Sequence, residues 1–154
     1  MGKKEDIRFV AENTLGKLAK WLRMLGFDTL YERGSLPERR LEAGRIRLTR
    51  TRCIANRCAP DRVIFITSDL YSEQIRQVVA TLGLTQADID PFTRCIRCNA
   101  PIESIDKSSV FGQVPDYIWE TQDTFSRCPR CNRVYWPGSH TAQSLVRFRD
   151  IFKE

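Results

Sequence analysis

The sequence predicts an α/β protein with a mostly parallel sheet, followed by a C-terminal zinc ribbon. Two observations carry this. Up to Asp90-Pro91, short apolar runs alternate with helical patterns, the rhythm of strands joined through helices in a parallel sheet. Beyond residue 94 one six-residue phrase occurs twice, as Arg94-Cys95-Ile96-Arg97-Cys98-Asn99 and again as Arg127-Cys128-Pro129-Arg130-Cys131-Asn132. The domains expected are therefore 1–91, an α/β body, and 92–154, a ribbon with a tail.

Ile7 to Val10 reads as the first strand. Glu12-Asn13-Thr14 then offers helix-starting chemistry, and Leu15, Leu18, Ala19, Leu22 and Leu25 recur at helical spacing until Gly26 stops the run. Lys17, Lys20 and Arg23 fall on another face beside Trp21, a basic stripe that is either solvated or a contact for a polyanion. Asp28 to Tyr31 forms a second strand. Ser35-Leu36-Pro37-Glu38 opens a short helix that Gly44 ends. Arg45 to Thr49 alternates charged and apolar residues as a third strand, and Val63 to Thr67 is an apolar run suited to a strand buried on both faces. Ser72 to Leu82 closes the body as a helix whose Ile75, Val78, Val79 and Leu82 share a face, with Gly83 as its stop.

The working groups of parallel sheets gather beyond the carboxyl ends of the strands. Those positions are Glu12, Glu32, Arg50-Thr51-Arg52 and Ser68-Asp69. Converging carboxylates there suit magnesium or manganese, which activate water and offset phosphoryl charge. The alternative is that Glu12 and Asp69 cap helices or sit in solvent.

In the ribbon, two cysteines three apart on a tight turn present both sulfurs to one ion, and a second such turn completes the four-thiolate shell that zinc prefers. Cys95, Cys98, Cys128 and Cys131 are the ligands expected. Asn99 and Asn132 follow each pair where a left-handed backbone is common, and Asn tolerates that conformation well. Two disulfides, or four reduced core cysteines, are the alternatives, and they must explain why spacing, Arg and Asn all repeat. Pro101, Gly112 and Pro115 place loops and short strands between the knuckles. Tyr135-Trp136-Pro137-Gly138-Ser139-His140 sets aromatics beside the single histidine: either a base-stacking and phosphate contact, or a Trp136 lid on the ribbon core with His140 exposed.

The 154 residues carry a net charge of +6, mostly through Arg, and a pI near 9.2. Such a balance suits a polyanionic partner or a solvated surface. The N-terminus lacks an apolar core for a signal peptide, and no run reaches membrane-spanning length, so a cytoplasmic location with reduced thiols is expected and a disulfide framework is not. Cys53 and Cys58 read as ordinary thiols.

Phe9-Val10-Ala11-Glu12-Asn13-Thr14-Leu15-Gly16-Lys17-Leu18-Ala19-Lys20-Trp21-Leu22-Arg23-Met24-Leu25-Gly26-Phe27-Asp28-Thr29 strongly resembles the opening of the Mut-seven C-terminal ribonuclease family. The likeness continues through Gly44 to Arg50, Ser72-Glu73-Gln74, both knuckles and the segment from Tyr135 to His140. It implies a PIN-like α/β domain with a C-terminal zinc ribbon, acting on RNA with divalent metal held by acids. On that likeness Glu12, Asp69 and Glu38 are the catalytic acids, Glu42 being another counterpart for the last. Arg50 and Arg52 position the RNA backbone, joined in binding by Lys17, Lys20, Arg23, Arg97, Arg130, Trp136 and His140. The chain departs from the family pattern where Glu12 and Thr51 stand in place of Asp, so one unit of negative charge is missing. Three functions follow as expectations: a weakened magnesium- or manganese-dependent ribonuclease, an inactive zinc-ribbon RNA-binding module, or a protein-docking adaptor.

Overall fold

The computed structural model describes residues 7–32 and 44–153, and the expected helix containing Glu38 and Glu42 lies outside them. The chain divides into two compact units that part between Asn99 and Ala100. The first is built on four strands: β1 (Arg8–Ala11), β2 (Asp28–Tyr31), β3 (Arg45–Thr49) and β4 (Val63–Phe65). Every pairing is parallel, in the order β2-β1-β3-β4.

The expected strands appear within a residue or two. The fourth is shorter than the apolar run suggested, because after Phe65 only Ile66 N–H continues the ladder, bonding Thr49 O at 2.8 Å. Helix α1 (Gly16–Met24) follows a 3-10 turn at Asn13–Leu15 and turns Leu18, Ala19, Trp21 and Leu22 inward. Its stop has two causes. Gly26 takes φ +97°, and a Cβ there would lie 2.3 Å from Asp90 O, so both backbone conformation and space require glycine. Helix α3 (Tyr71–Leu82) buries Ile75, Val78 and Val79 and ends on Gly83 at φ +59°. Between them α2 (Arg52–Arg57) is a single short helix with no buried residue, which is why no apolar periodicity announced it.

The alternation in β3 has a different cause from the usual solvated face. Arg45 and Arg47 are buried. Arg45 donates to Asp28 Oδ1 at 2.8 Å and to Phe9 O at 3.1 Å, while Arg47 grips Glu32 with bonds of 2.9 and 3.2 Å. Removing one partner of such a pair strands a buried charge, at a cost of about 3–5 kcal/mol.

The first knuckle packs within this unit. Arg23, buried on α1, donates to Thr29 O, Ile96 O and Arg97 O at 2.8, 2.9 and 3.2 Å. Asn99 accepts Thr29 N–H at 2.9 Å and donates to Asp28 at 2.7 Å, fastening β2 to the turn.

The second unit holds an antiparallel sheet of β5 (Glu103–Ile105), β6 (Phe125–Arg127) and β7 (Val134–Tyr135), in that order. Helix α4 (Asp116–Thr121) lies between β5 and β6, and α5 (Ser139–Ile151) follows β7. Its core is small: Val110, Val114, Ile118 and Phe125, flanked by Ile105, Trp119, Val134 and Trp136. Short strands and loops were expected between the knuckles; α4 and α5 were not. No helix among the described residues is long and apolar enough to cross a membrane.

Candidate functional site

Strand order decides where a site forms. The chain leaves β1 for β2 on one side, then crosses to β3 on the other, so the crevice between the carboxyl ends of β1 and β3 is the switch point at which such sheets take ligands. The register brings those ends level: Ala11 pairs with Tyr31 and Leu48, and Glu12 N–H bonds Leu48 O at 3.1 Å.

Glu12 occupies that crevice and is buried. Thr49 donates to its Oε2 at 2.5 Å, Thr14 to Oε1 at 2.8 Å and the Arg50 N–H to Oε1 at 3.0 Å. Thr51 Oγ1 lies 3.2 and 3.4 Å from the two oxygens. Burial pushes the carboxyl up, but the donors from Thr49, Arg50, Thr14 and Thr51 outweigh it and hold Glu12 below its ordinary value. The group is therefore an anion at neutral pH.

Arg50 links two of the three expected acids, since its N–H reaches Glu12 and its guanidinium pairs with Asp69, which stands exposed beyond β4. Glu32, also at the strand-end edge, is held by Arg47 and turned away from a ligand role. Glu38 lies outside the described residues. Thr51, where an acid was expected on the resemblance, supplies a hydroxyl that donates toward Glu12.

The basic residues separate by environment. Lys17 and Lys20 are exposed on α1, and Lys17 Nζ sits 4.1 Å from the centre of the Tyr71 ring. Arg23 faces knuckle carbonyls instead of solvent: the apolar stripe of α1 is wide enough to bury it, and three carbonyls satisfy its donors. Arg52 is exposed and lies over Phe65, 4.7 Å from the ring centre. Arg97 is exposed on the first knuckle. In the second unit Arg130 and His140 are exposed, while Trp136 packs on the core 6.4 Å from Phe125 between ring centres.

Cys95, Cys98, Cys128 and Cys131 bring their sulfurs within 4.8 Å of one another, the one metal-competent group of three or more among the described residues. Ideal tetrahedral zinc–thiolate geometry needs sulfurs about 3.8 Å apart, from bonds of about 2.3 Å, so small side-chain movements complete the shell. The two knuckles are built alike. Asn99 N–H bonds Cys95 O at 2.8 Å and Asn132 N–H bonds Cys128 O at 2.9 Å, with the asparagines at φ +65° and +60°. The Cys98 N–H also points at Cys95 Sγ, 3.3 Å away. Cys53 and Cys58 are free and outside the cluster.

A parallel α/β unit with an anionic switch point is thus joined in one chain to a four-cysteine cluster that could hold a metal ion. The Mut7-C RNAse domain family matches residues 7–148, nearly the whole chain, and the protein belongs to that family. Neither a curated protein nor a solved structure matches it.

Proposed function

We propose that this protein is a ribonuclease that cleaves RNA phosphodiester bonds at the β1–β3 crevice with a divalent magnesium or manganese ion, and that its activity is weak. The observation that carries the reading is the ionised Glu12 at the switch point, joined through Arg50 to Asp69. The donor set suits an ion of this kind in one mode only. Magnesium keeps most of its waters and is commonly held by one or two carboxylates together with substrate phosphates. Glu12 and Asp69 are such a pair, with Glu38 a third acid on the family resemblance. When bound, the cation lowers the pKa of a coordinated water and offsets charge on the phosphoryl oxygens.

The chain's own residues do the rest. The hydroxyls of Thr14, Thr49 and Thr51 orient the Glu12 carboxylate and keep it ionised. Arg50 and Arg52 hold the phosphate backbone, and releasing Asp69 frees the Arg50 guanidinium for it. With Glu32 held by Arg47, Glu12 and Asp69 are the described strand-end acids left to the ion, and metal affinity depends on RNA being present. Zinc in the four-thiolate cluster is structural, because four protein ligands leave no open position. We place the protein in the cytoplasm, where thiolates stay reduced, and assign residues 92–154 to a ribbon domain by their shared cysteine cluster and 1–91 to the α/β domain, the first knuckle of the ribbon packing within the first compact unit.

A second reading, an RNA-binding module without cleavage, is favoured by one observation: both Glu12 oxygens already accept hydrogen bonds and Thr51 adds no charge. Incubating the purified protein with mixed RNA substrates and manganese, magnesium or chelator separates the two. Metal-dependent products support the ribonuclease; binding without products supports the module.

A further inference from the structure

The segment between the knuckles differs in charge from the rest of the chain. Residues 101–126 hold five acids, Glu103, Asp106, Asp116, Glu120 and Asp123, against Lys107 alone, in a protein whose net charge is +6. All five acids are exposed. Lys107 is already engaged, 3.4 Å from Asp123 and over the Trp119 ring at 4.9 Å.

The same segment exposes large aromatics. Phe111 is 70% and Tyr117 66% accessible, the two most exposed large apolar side chains among the described residues. Ile118 anchors α4 in the core, so helical geometry puts Asp116 and Glu120 on the opposite, outward face, one turn apart. Tyr117 flanks that acidic strip on one side. Trp119 flanks it on the other, with Phe111 packed edge-on against it at 5.1 Å between centres. Trp119 Nε1 donates to Lys107 O at 3.2 Å, which fixes the ring. The helix is thus anchored on a packed core, with Trp119 fixed and Phe111 packed against it.

We propose that this face of α4, with Phe111, docks a basic segment of another protein, one whose Arg or Lys residues flank an aromatic or aliphatic anchor. Charge selects this occupant. Phosphates would meet the exposed carboxylates of Asp116 and Glu120 on this face, while Lys107 is already paired with Asp123, so RNA is disfavoured here although its partner role elsewhere in the chain is expected. A cationic segment gains on both counts: its guanidinium or ammonium groups pair with Asp116 and Glu120, and cation–π contacts with Tyr117 and Phe111 add to anchor burial. None of these residues is among those proposed to hold RNA, so the chain would carry two recognition sites of opposite charge preference.

The test passes the metal-replete full chain over an array of synthetic peptides of one length, varied in net charge and in the presence of a Leu or Trp anchor. Retention is expected on cationic, anchored peptides and not on acidic or anchorless ones. Asp116→Lys with Glu120→Lys, and separately Phe111→Ser with Tyr117→Ser, should each lower retention about tenfold or more, as losses at interface centres do. Circular dichroism and metal content should stay unchanged, since all four side chains are exposed. Absence of retention, retention indifferent to peptide charge, or retention unaffected by both double variants overturns the proposal. So does crosslinking of an RNA oligonucleotide at Tyr117, or self-association that the acid reversal abolishes, because the occupant would then be RNA or a second copy.

Discussion

Thr51→Asp restores the acid that the family pattern places after the third strand, and its consequence can be worked from the distances. Thr51 Oγ1 lies 3.2 Å from one Glu12 oxygen and 3.4 Å from the other. The substitution removes a donor and sets a second carboxylate against the first. Two charges about 4 Å apart repel by about 4 kcal/mol at an effective permittivity near 20. The position is half-exposed, so solvent reduces that to about 1–2 kcal/mol, and the lost hydrogen bond adds about 1 kcal/mol. Without metal the variant should be less stable by about 2–3 kcal/mol at neutral pH, a fall in Tm of about 6–9 °C for a chain of this size.

The sign reverses with ligand. Repulsion raises the Glu12 pKa in the folded variant, so the deficit is present above the ordinary carboxylate range and shrinks as pH falls toward 4. A divalent ion at a hundred times its dissociation constant returns about 2.7 kcal/mol. Thermal melts of parent and variant with chelator and with manganese therefore cross: the variant melts lower in chelator and gains more from manganese. Cleavage, measured alongside, should rise in the variant with manganese ahead of magnesium. Equal melts in chelator, or an equal manganese gain in both proteins, would refute the proximity of position 51 to a metal-binding carboxylate.

Other expectations follow from the same geometry. Cys128→Ser should lower the metal content, read by elemental analysis against a parent holding one zinc per chain. It should also unfold the C-terminal module more than the parallel sheet, seen as selective loss of amide protection, because metal binding is folding free energy for a small ribbon. Reversing Arg50 and Arg52 together to Glu should weaken RNA binding and reduce the slope of affinity against salt by about 2, while the melt stays cooperative; unchanged affinity removes the strand-end face from the RNA site. Asp28, which burial pushes up, is held below its ordinary value by the hydrogen bonds from Arg45 and Asn99 and the charges of Arg45 and Arg94. Its contribution is thus present above the ordinary carboxylate range and lost as pH falls through the lowered folded value. Asp28→Asn should cost stability at neutral pH and show a shallower acid decline below about pH 4 in urea titrations.

Much of this architecture was legible because its causes are local. The four strands, α1 and α3 rest on apolar periodicity, and the glycine stops at Gly26 and Gly83 on a backbone preference that a sequence shows directly. The knuckles were legible for the same reason: spacing, Arg and Asn repeat because each turn must present two sulfurs and then reverse through a left-handed residue. Asn99 and Asn132 adopt that conformation. What escaped reading depends on partners distant in sequence. Arg23 looked like part of a basic stripe, yet it is buried by carbonyls more than seventy residues away. The alternation in Arg45 to Thr49 marked the third strand but not that Arg45 and Arg47 are buried against Asp28 and Glu32. The helices α2, α4 and α5 carry little buried apolar surface, so their patterns are weak. The threonine ring around Glu12 was not legible: Thr14 suggested a helix start and Thr51 a missing acid, and only the folded strand ends bring Thr14, Thr49 and Thr51 to one carboxylate.

The measurement that tests the ribonuclease reading most directly compares parent and Glu12→Gln on one labelled RNA, with the cleavage rate taken in manganese and the RNA affinity in chelator on the same preparations. Glutamine retains the size and one acceptor but not the charge, so the account predicts that cleavage falls roughly a hundredfold or more while affinity changes by no more than about twofold. Equal cleavage by both proteins would place the chemistry away from Glu12, and RNA bound by the parent without any metal-dependent product would contradict the enzyme altogether.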